Sequence, residues 1–161
     1  MDIEALLIQA YAFASNSPDP STQNAALIVD DDGNVEAWAC NTFTRGMVVT
    51  DEMLVRPLKY TYIEHAERGA VFHAARLGTK CLGKTMVCPW ASCAECARSI
   101  VQAGIKTLVR HQDASDRSPE RWVESIALSD KILEAGHVEI INHVGKLNAS
   151  PIMHCEELWT P

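Results

Sequence analysis

Two short stretches carry side chains that can grip an ion and move protons: His65-Ala66-Glu67 and Cys93-Ala94-Glu95-Cys96. Cysteines at i and i+3 share one helix face, so two thiolates can close on a single ion, and the positive end of a helix dipole favours their ionised form. One histidine and two cysteines leave a fourth tetrahedral position for water, the arrangement of a catalytic zinc rather than a structural one. Zinc lowers the pKa of its water to about 7, and a carboxylate within reach is then needed to move the protons. Glu67, close to His65 in the chain, is the candidate. A Cys-x-x-Cys alone also fits a redox dithiol or half of a structural zinc site, and it is the His-x-Glu upstream that turns the reading toward catalysis. His73 and His111 read as histidines satisfied within the fold. Cys81, Cys88, His143, His154 and Cys155 lack the ligand spacing of a second metal site.

Both clusters stand at helix starts. Residues 2–15 set Ile3, Leu6, Leu7, Ala10, Tyr11 and Ala14 at helical spacing, and Asn16-Ser17-Pro18-Asp19-Pro20 ends that pattern. Ala25 to Asp30 and Val35 to Cys40 are apolar runs joined by Asp31-Asp32-Gly33-Asn34, which predicts an antiparallel hairpin. Residues 41–62 show no period and read as a long loop. Ala66, Ala70, Val71, Ala74 and Leu77 then form a helical stripe closed by Gly78. Thr85 to Cys88, Cys93 to Ala103 and Ile105 to Val109 predict a strand-helix-strand unit with parallel strands. Ser92-Cys93-Ala94-Glu95 reads as a capping box with Ser92 as N-cap. Ser118 before Pro119 starts a helix that runs to Ala135 and stops at Gly136, and Val138 to Ile141 is a last strand. The tail, 142–161, has no strong period.

With 161 residues, 47% hydrophobic and 22% charged, the chain predicts one globular domain over 1–161, its core at about 5–140. A chain of this length buries roughly two-thirds of its unfolded surface and has no need of disulfides to fold. Lys+Arg 14 against Asp+Glu 21, a net charge of -7, disfavours a nucleic-acid partner. Met1-Asp2-Ile3-Glu4 offers no basic leader, and no apolar run approaches the ~18 residues of a membrane span. No membrane contact is expected, and a cytoplasmic location in which the six cysteines are thiols or ligands is.

His-x-Glu followed downstream by Cys-x-x-Cys is the signature of zinc deaminases. On it the chain resembles the cytidine deaminase superfamily and, within it, the deoxycytidylate deaminases. Ser17-Pro18-Asp19-Pro20-Ser21-Thr22-Gln23 followed by Ala26 to Asp30 is similar to that group's Ser-Lys-Asp-Pro-Ser-Thr segment and first strand. Asn41-Thr42-Phe43-Thr44-Arg45-Gly46 resembles its Asn-Gly-x-Pro-Arg-Gly loop, and Lys59-Tyr60 through Ile63 to Arg68 the approach to its zinc histidine. Three positions depart: Gly69 for an Asn, Ser92 for a Pro, and Pro18 for a Lys.

The elements and the resemblance alike imply an α/β domain of three α/β/α layers with a mixed five-stranded sheet. The resemblance implies Zn2+ on His65, Cys93 and Cys96, with Glu67 carrying a water proton first to N3 of cytosine and then to the departing amine. Uracil and ammonia result. It gives the Ala66 N–H to the base carbonyl and Asn41 to the sugar. Trp90 either walls the base pocket or packs under its loop, while Trp38, Trp122 and Trp159 read as core or interface. A 5′-phosphate, as in dCMP, would meet a loop cation, with Arg45 first and Arg56, Lys59 and Arg68 behind it. Neighbouring copies of a homo-oligomer are expected to complete the pocket. Other readings are a deaminase of a free base or nucleoside (cytosine, guanine, deoxycytidine), of tRNA adenosine, or a non-enzymatic zinc module. The acidic balance argues against tRNA, and Glu67 against the module.

Overall fold

The first strand is apolar along its whole length because it is buried on both faces. In the computed structural model, which describes residues 1–161, this strand β1 (Ala25–Val29) sends alternate side chains into two cores. Ala26 and Ile28 enter one; Ala25, Leu27 and Val29 enter the other. Helix α1 (Ile3–Ala14) covers the second core with Leu7, Ala10, Tyr11 and Ala14, and Asp2 caps it through Ala5 N–H. The other strands are β2 (Val35–Cys40), β3 (Thr42–Phe43), β4 (Ile63–Glu64), β5 (Thr85–Val87), β6 (Thr107–His111), β7 (Glu139–His143), β8 (Ile152–His154) and β9 (Glu157–Trp159). The remaining helices are α2 (Lys59–Tyr62), α3 (Ala66–Leu77), α4 (Ala94–Gln102), α5 (Gln112–Asp116) and α6 (Glu120–Ala135).

Five strands form one sheet in the order β2-β1-β5-β6-β7. Its first two pairings are antiparallel and its last two parallel, so the sheet is mixed. Both the predicted hairpin and the predicted parallel unit are present. The α3, α4 and α6 side chains Ala70, Ala74, Ala97, Ile100 and Leu133 pack on the face opposite α1, which completes three layers. No helix is long and apolar enough to cross a membrane.

Helix α3 must lie close to β2 for its start to reach the site, and Gly69 permits that approach. A Cβ on Gly69 would lie 2.9 Å from the Cβ of Ala39 on β2, so the departure from the family pattern here is a packing solution. Overpacking of that kind costs about 1–3 kcal/mol, more than the ~1 kcal/mol of helix propensity that glycine gives up.

Two segments differ from expectation. The stretch 41–62 holds the β3 strand, a 3-10 turn at Asp51–Leu54 and α2, and β3 pairs with β4 immediately before His65. The tail folds back as a β8–β9 hairpin, Ile152 opposite Trp159 and His154 opposite Glu157. Its anchor is Gln23, whose backbone N–H and side-chain Oε1 bond the O and N–H of Met153 at 2.8 and 2.9 Å. Strands of two or three residues are too short for alternation to register, and their partners lie far away in sequence.

Candidate active site

Two helix starts converge on one point. His65 is the N-cap residue of α3 and Cys93 that of α4, both with extended backbone, and Cys96 lies in the first turn of α4. The His65 Nδ1 lies 3.6 Å from Cys93 Sγ and 3.5 Å from Cys96 Sγ, and the three ligand atoms all fall within 4.8 Å of one another. Zn–N of about 2.0–2.1 Å and Zn–S of about 2.3 Å at a tetrahedral angle require N···S edges of about 3.6 Å, which both His65–Cys distances match. The donor set asks for one as well. A hydrogen bond from Cys96, outweighing burial and reinforced by His65, brings the Cys93 thiol down to about 3. The Cys96 thiol, which makes that hydrogen bond and is buried, is pushed far up. A cation between them would let both ionise together.

The orphan N–H groups at these helix starts are satisfied from a distance. Ala66 N–H donates to Asn41 Oδ1 at 3.0 Å, and Asn41 Nδ2 donates to the Thr22 carbonyl at 2.9 Å. Ala94 N–H donates to Ser125 Oγ of α6 at 3.1 Å. The predicted capping box is therefore absent: Ser92 turns away to bond Ser129 Oγ at 2.7 Å, and Cys93 takes the cap position so that its thiol faces the site. The start of α6 shifts for a related reason. Pro119, not Ser118, is its N-cap, and Ser118 Oγ accepts the Trp90 indole N–H at 2.7 Å.

A narrow cleft opens beside the three residues, lined by Asn24, Asn41, Glu67, Trp90, Trp122 and Ile126 among others. Glu67 is 3% exposed, and burial, the largest influence, raises its carboxyl above the usual range although His65 pulls the other way. Trp90 lines the cleft and packs edge-on against Trp122 and His154, with ring centroids 6.1 and 5.0 Å apart. Sequence reading assigned Trp122 to core or interface; in the structure it stands over His65, ring centroids 5.9 Å apart, as part of the cleft wall. Asn24, whose Nδ2 donates to Cys88 Sγ at 3.2 Å, was not anticipated. Nothing in a lone Asn at a strand start signals such a role.

A second recess shares Asn41, His65, Trp90 and Trp122 with the first and adds Asp19, Arg56, Lys59 and Tyr60. Arg45, first choice among the loop cations, is exposed in a turn and lines neither recess. Arg68 is held by Glu64 and Glu95 at 2.5 and 2.6 Å. His73 and His111 are satisfied by the Trp38 carbonyl and by Tyr11 and Gly145, all within 2.9 Å.

Residues 1–112 match the family model of the cytidine and deoxycytidylate deaminase zinc-binding region. The chain belongs to this family. It is 30% identical over 136 residues to a deoxycytidylate deaminase of Mus musculus, an alignment covering 77% of this chain and 74% of that one. It is 38% identical over 84 residues to the deoxycytidylate deaminase of Enterobacteria phage T2, covering 52% of this deaminase and only 40% of the phage protein. The fold is similar to that of the dCMP deaminase from cyanophage S-TIM5 solved with dCMP and dUMP. The TM-score is 0.66 at 21% identity, over 87% of this chain and 95% of that one. Zinc is thus the cofactor of this deaminase family, and His65, Cys93 and Cys96 form the one group of side chains that could hold it.

Proposed function

We propose that this deaminase, as a single domain, converts dCMP and water to dUMP and ammonia. The observation that carries the reading is the Glu67 carboxyl, buried in the cleft wall beside a His-Cys-Cys group of tetrahedral spacing. His65, Cys93 and Cys96 would hold the zinc, which when bound would supply a water acidic enough to ionise near neutral pH. Glu67 would take one proton from the attacking water and deliver it to N3 as the water oxygen bonds to C4. It then carries the second to the exocyclic amine, the C4–N bond breaks, ammonia leaves, and C4 keeps its oxygen as a carbonyl. Cytosine stacks within reach of Trp90 and Trp122. The base carbonyl takes over the Ala66 N–H that Asn41 Oδ1 accepts in the free protein, and Asn41 is thereby released to meet the sugar.

The 5′-phosphate lies in the second recess. Lys59 is neutralised there by Asp19 at 2.6 Å, both side chains buried, and Asp19 is in turn held by Ser21 and Thr22. Arg56 is the cation left for the substrate and replaces Arg45 in that role. A charge-assisted hydrogen bond of this kind contributes about 1.5–3 kcal/mol, roughly 10- to 150-fold in specificity. Ammonia release should therefore give a kcat/KM for dCMP at least tenfold above that for deoxycytidine, and Arg56→Ala should erase most of the difference. Equal rates on the two substrates would move the assignment to a nucleoside or free base. Six free cysteines agree with a reducing, cytoplasmic setting. The exposed Val55 and Leu58, just ahead of α2, agree with a homo-oligomer.

A further inference from the structure

The C-terminal hairpin reaches the phosphate end of the second recess. Glu156, in the β8–β9 turn, forms an ion pair with Arg56 Nη1. Its backbone N–H donates to the Ser21 carbonyl at 2.8 Å, and Cys155 and Glu156 both adopt left-handed backbone, with φ of 53° and 75°. The turn is thus pinned with the carboxylate aimed at the guanidinium. Arg56 is oriented independently of it by Tyr60 Oη at 2.8 Å and Ser21 Oγ at 3.3 Å. The same hairpin sets His154 against Trp90, so it borders the base cleft as well.

The two ion pairs of this recess differ in kind. Lys59–Asp19 is sealed, with side-chain exposures of 5% and 3%, whereas Arg56–Glu156 lies at the rim with exposures of 32% and 59%. A sealed pair is a fixed part of the wall. A rim pair is separable, because water can solvate the carboxylate once it leaves. The geometry points to Glu156 as a specificity-determining residue: its carboxylate occupies the Arg56 position that a substrate 5′-phosphate needs, so that a nucleoside monophosphate enters by displacing it. This rests on the dCMP reading of the site and deepens it. A nucleoside, with no phosphate, has no reason to dislodge Glu156. The carboxylate therefore lowers the affinity of the phosphorylated ligand selectively, by competing for Arg56 and by repelling a dianion.

The test is calorimetric titration of the zinc-loaded protein and its Glu156→Gln variant with the product pair dUMP and deoxyuridine. Glutamine keeps the size of the side chain and removes its charge, and the position is exposed, so the fold tolerates the change. Loss of one competing rim charge should tighten dUMP about fivefold or more while deoxyuridine moves less than about twofold. Arg56→Gln should weaken dUMP in both backgrounds and make them equal. Parallel shifts for the two ligands, or no shift, overturn the displacement mechanism and leave Glu156 as a mere tether of the hairpin. Failure of either protein to bind dUMP or deoxyuridine overturns the dCMP reading itself, and the displacement of Glu156 with it.

Discussion

Glu67→Gln is expected to lower turnover by at least the ~100-fold that follows loss of a general acid-base group, with zinc content and fold retained. The loss should exceed that figure, because one carboxyl serves both proton transfers of the reaction. Glutamine is nearly the same shape and fills the same buried position, so Ala66, Ala70 and the cleft wall keep their packing. Glu67 is outside the group of side chains whose atoms gather to hold the ion, which is why its substitution should leave the metal in place. Turnover by ammonia release and zinc per chain by elemental analysis check both halves. Near-normal turnover would remove Glu67 from the chemistry even with zinc present, and zinc loss would recast it as a ligand.

Cys93→Ser should act in the opposite order, on the metal and the fold first. A hydroxyl is a poor zinc ligand at neutral pH, and losing a direct donor should weaken zinc by more than the 10- to 100-fold that outer partners of metal ligands cost. An ion held by these residues would join the N-cap of α3 to the start of α4, so binding free energy would also be folding free energy. The variant should melt below the native protein when zinc is saturating for the latter, and a chelator should bring the two melting curves together. Full zinc occupancy with an unchanged Tm would take Cys93 out of the site.

Much of this site is legible in sequence because its ligands follow local rules. His65, Cys93 and Cys96 sit at helix starts that apolar periodicity reveals, and their i, i+3 spacing places two thiols on one face whatever else the chain does. What stays hidden depends on distant partners. Ser92 looks like a cap, yet Ser125 on α6 reaches Ala94 first, and Ser92 is spent on Ser129. Trp122 is one aromatic on a half-exposed helix until α6 packs beside α4 and turns it over His65. Arg45 follows the family's loop motif, whereas Arg56 is held at the recess by Tyr60, Ser21 and Glu156, partners that no local pattern reveals. Glu156 was the least foreseeable, since a three-residue strand pair in a tail without period gives no sign that it returns to the site.

Ammonia release by the zinc-loaded protein from dCMP, CMP, deoxycytidine, cytosine and guanine tests the account most directly. The expected result is one ammonia and one dUMP per dCMP consumed, with dCMP the fastest of the five substrates and with activity lost on chelation. Absence of ammonia from every member of the panel, in protein shown to carry one zinc per chain, would contradict it.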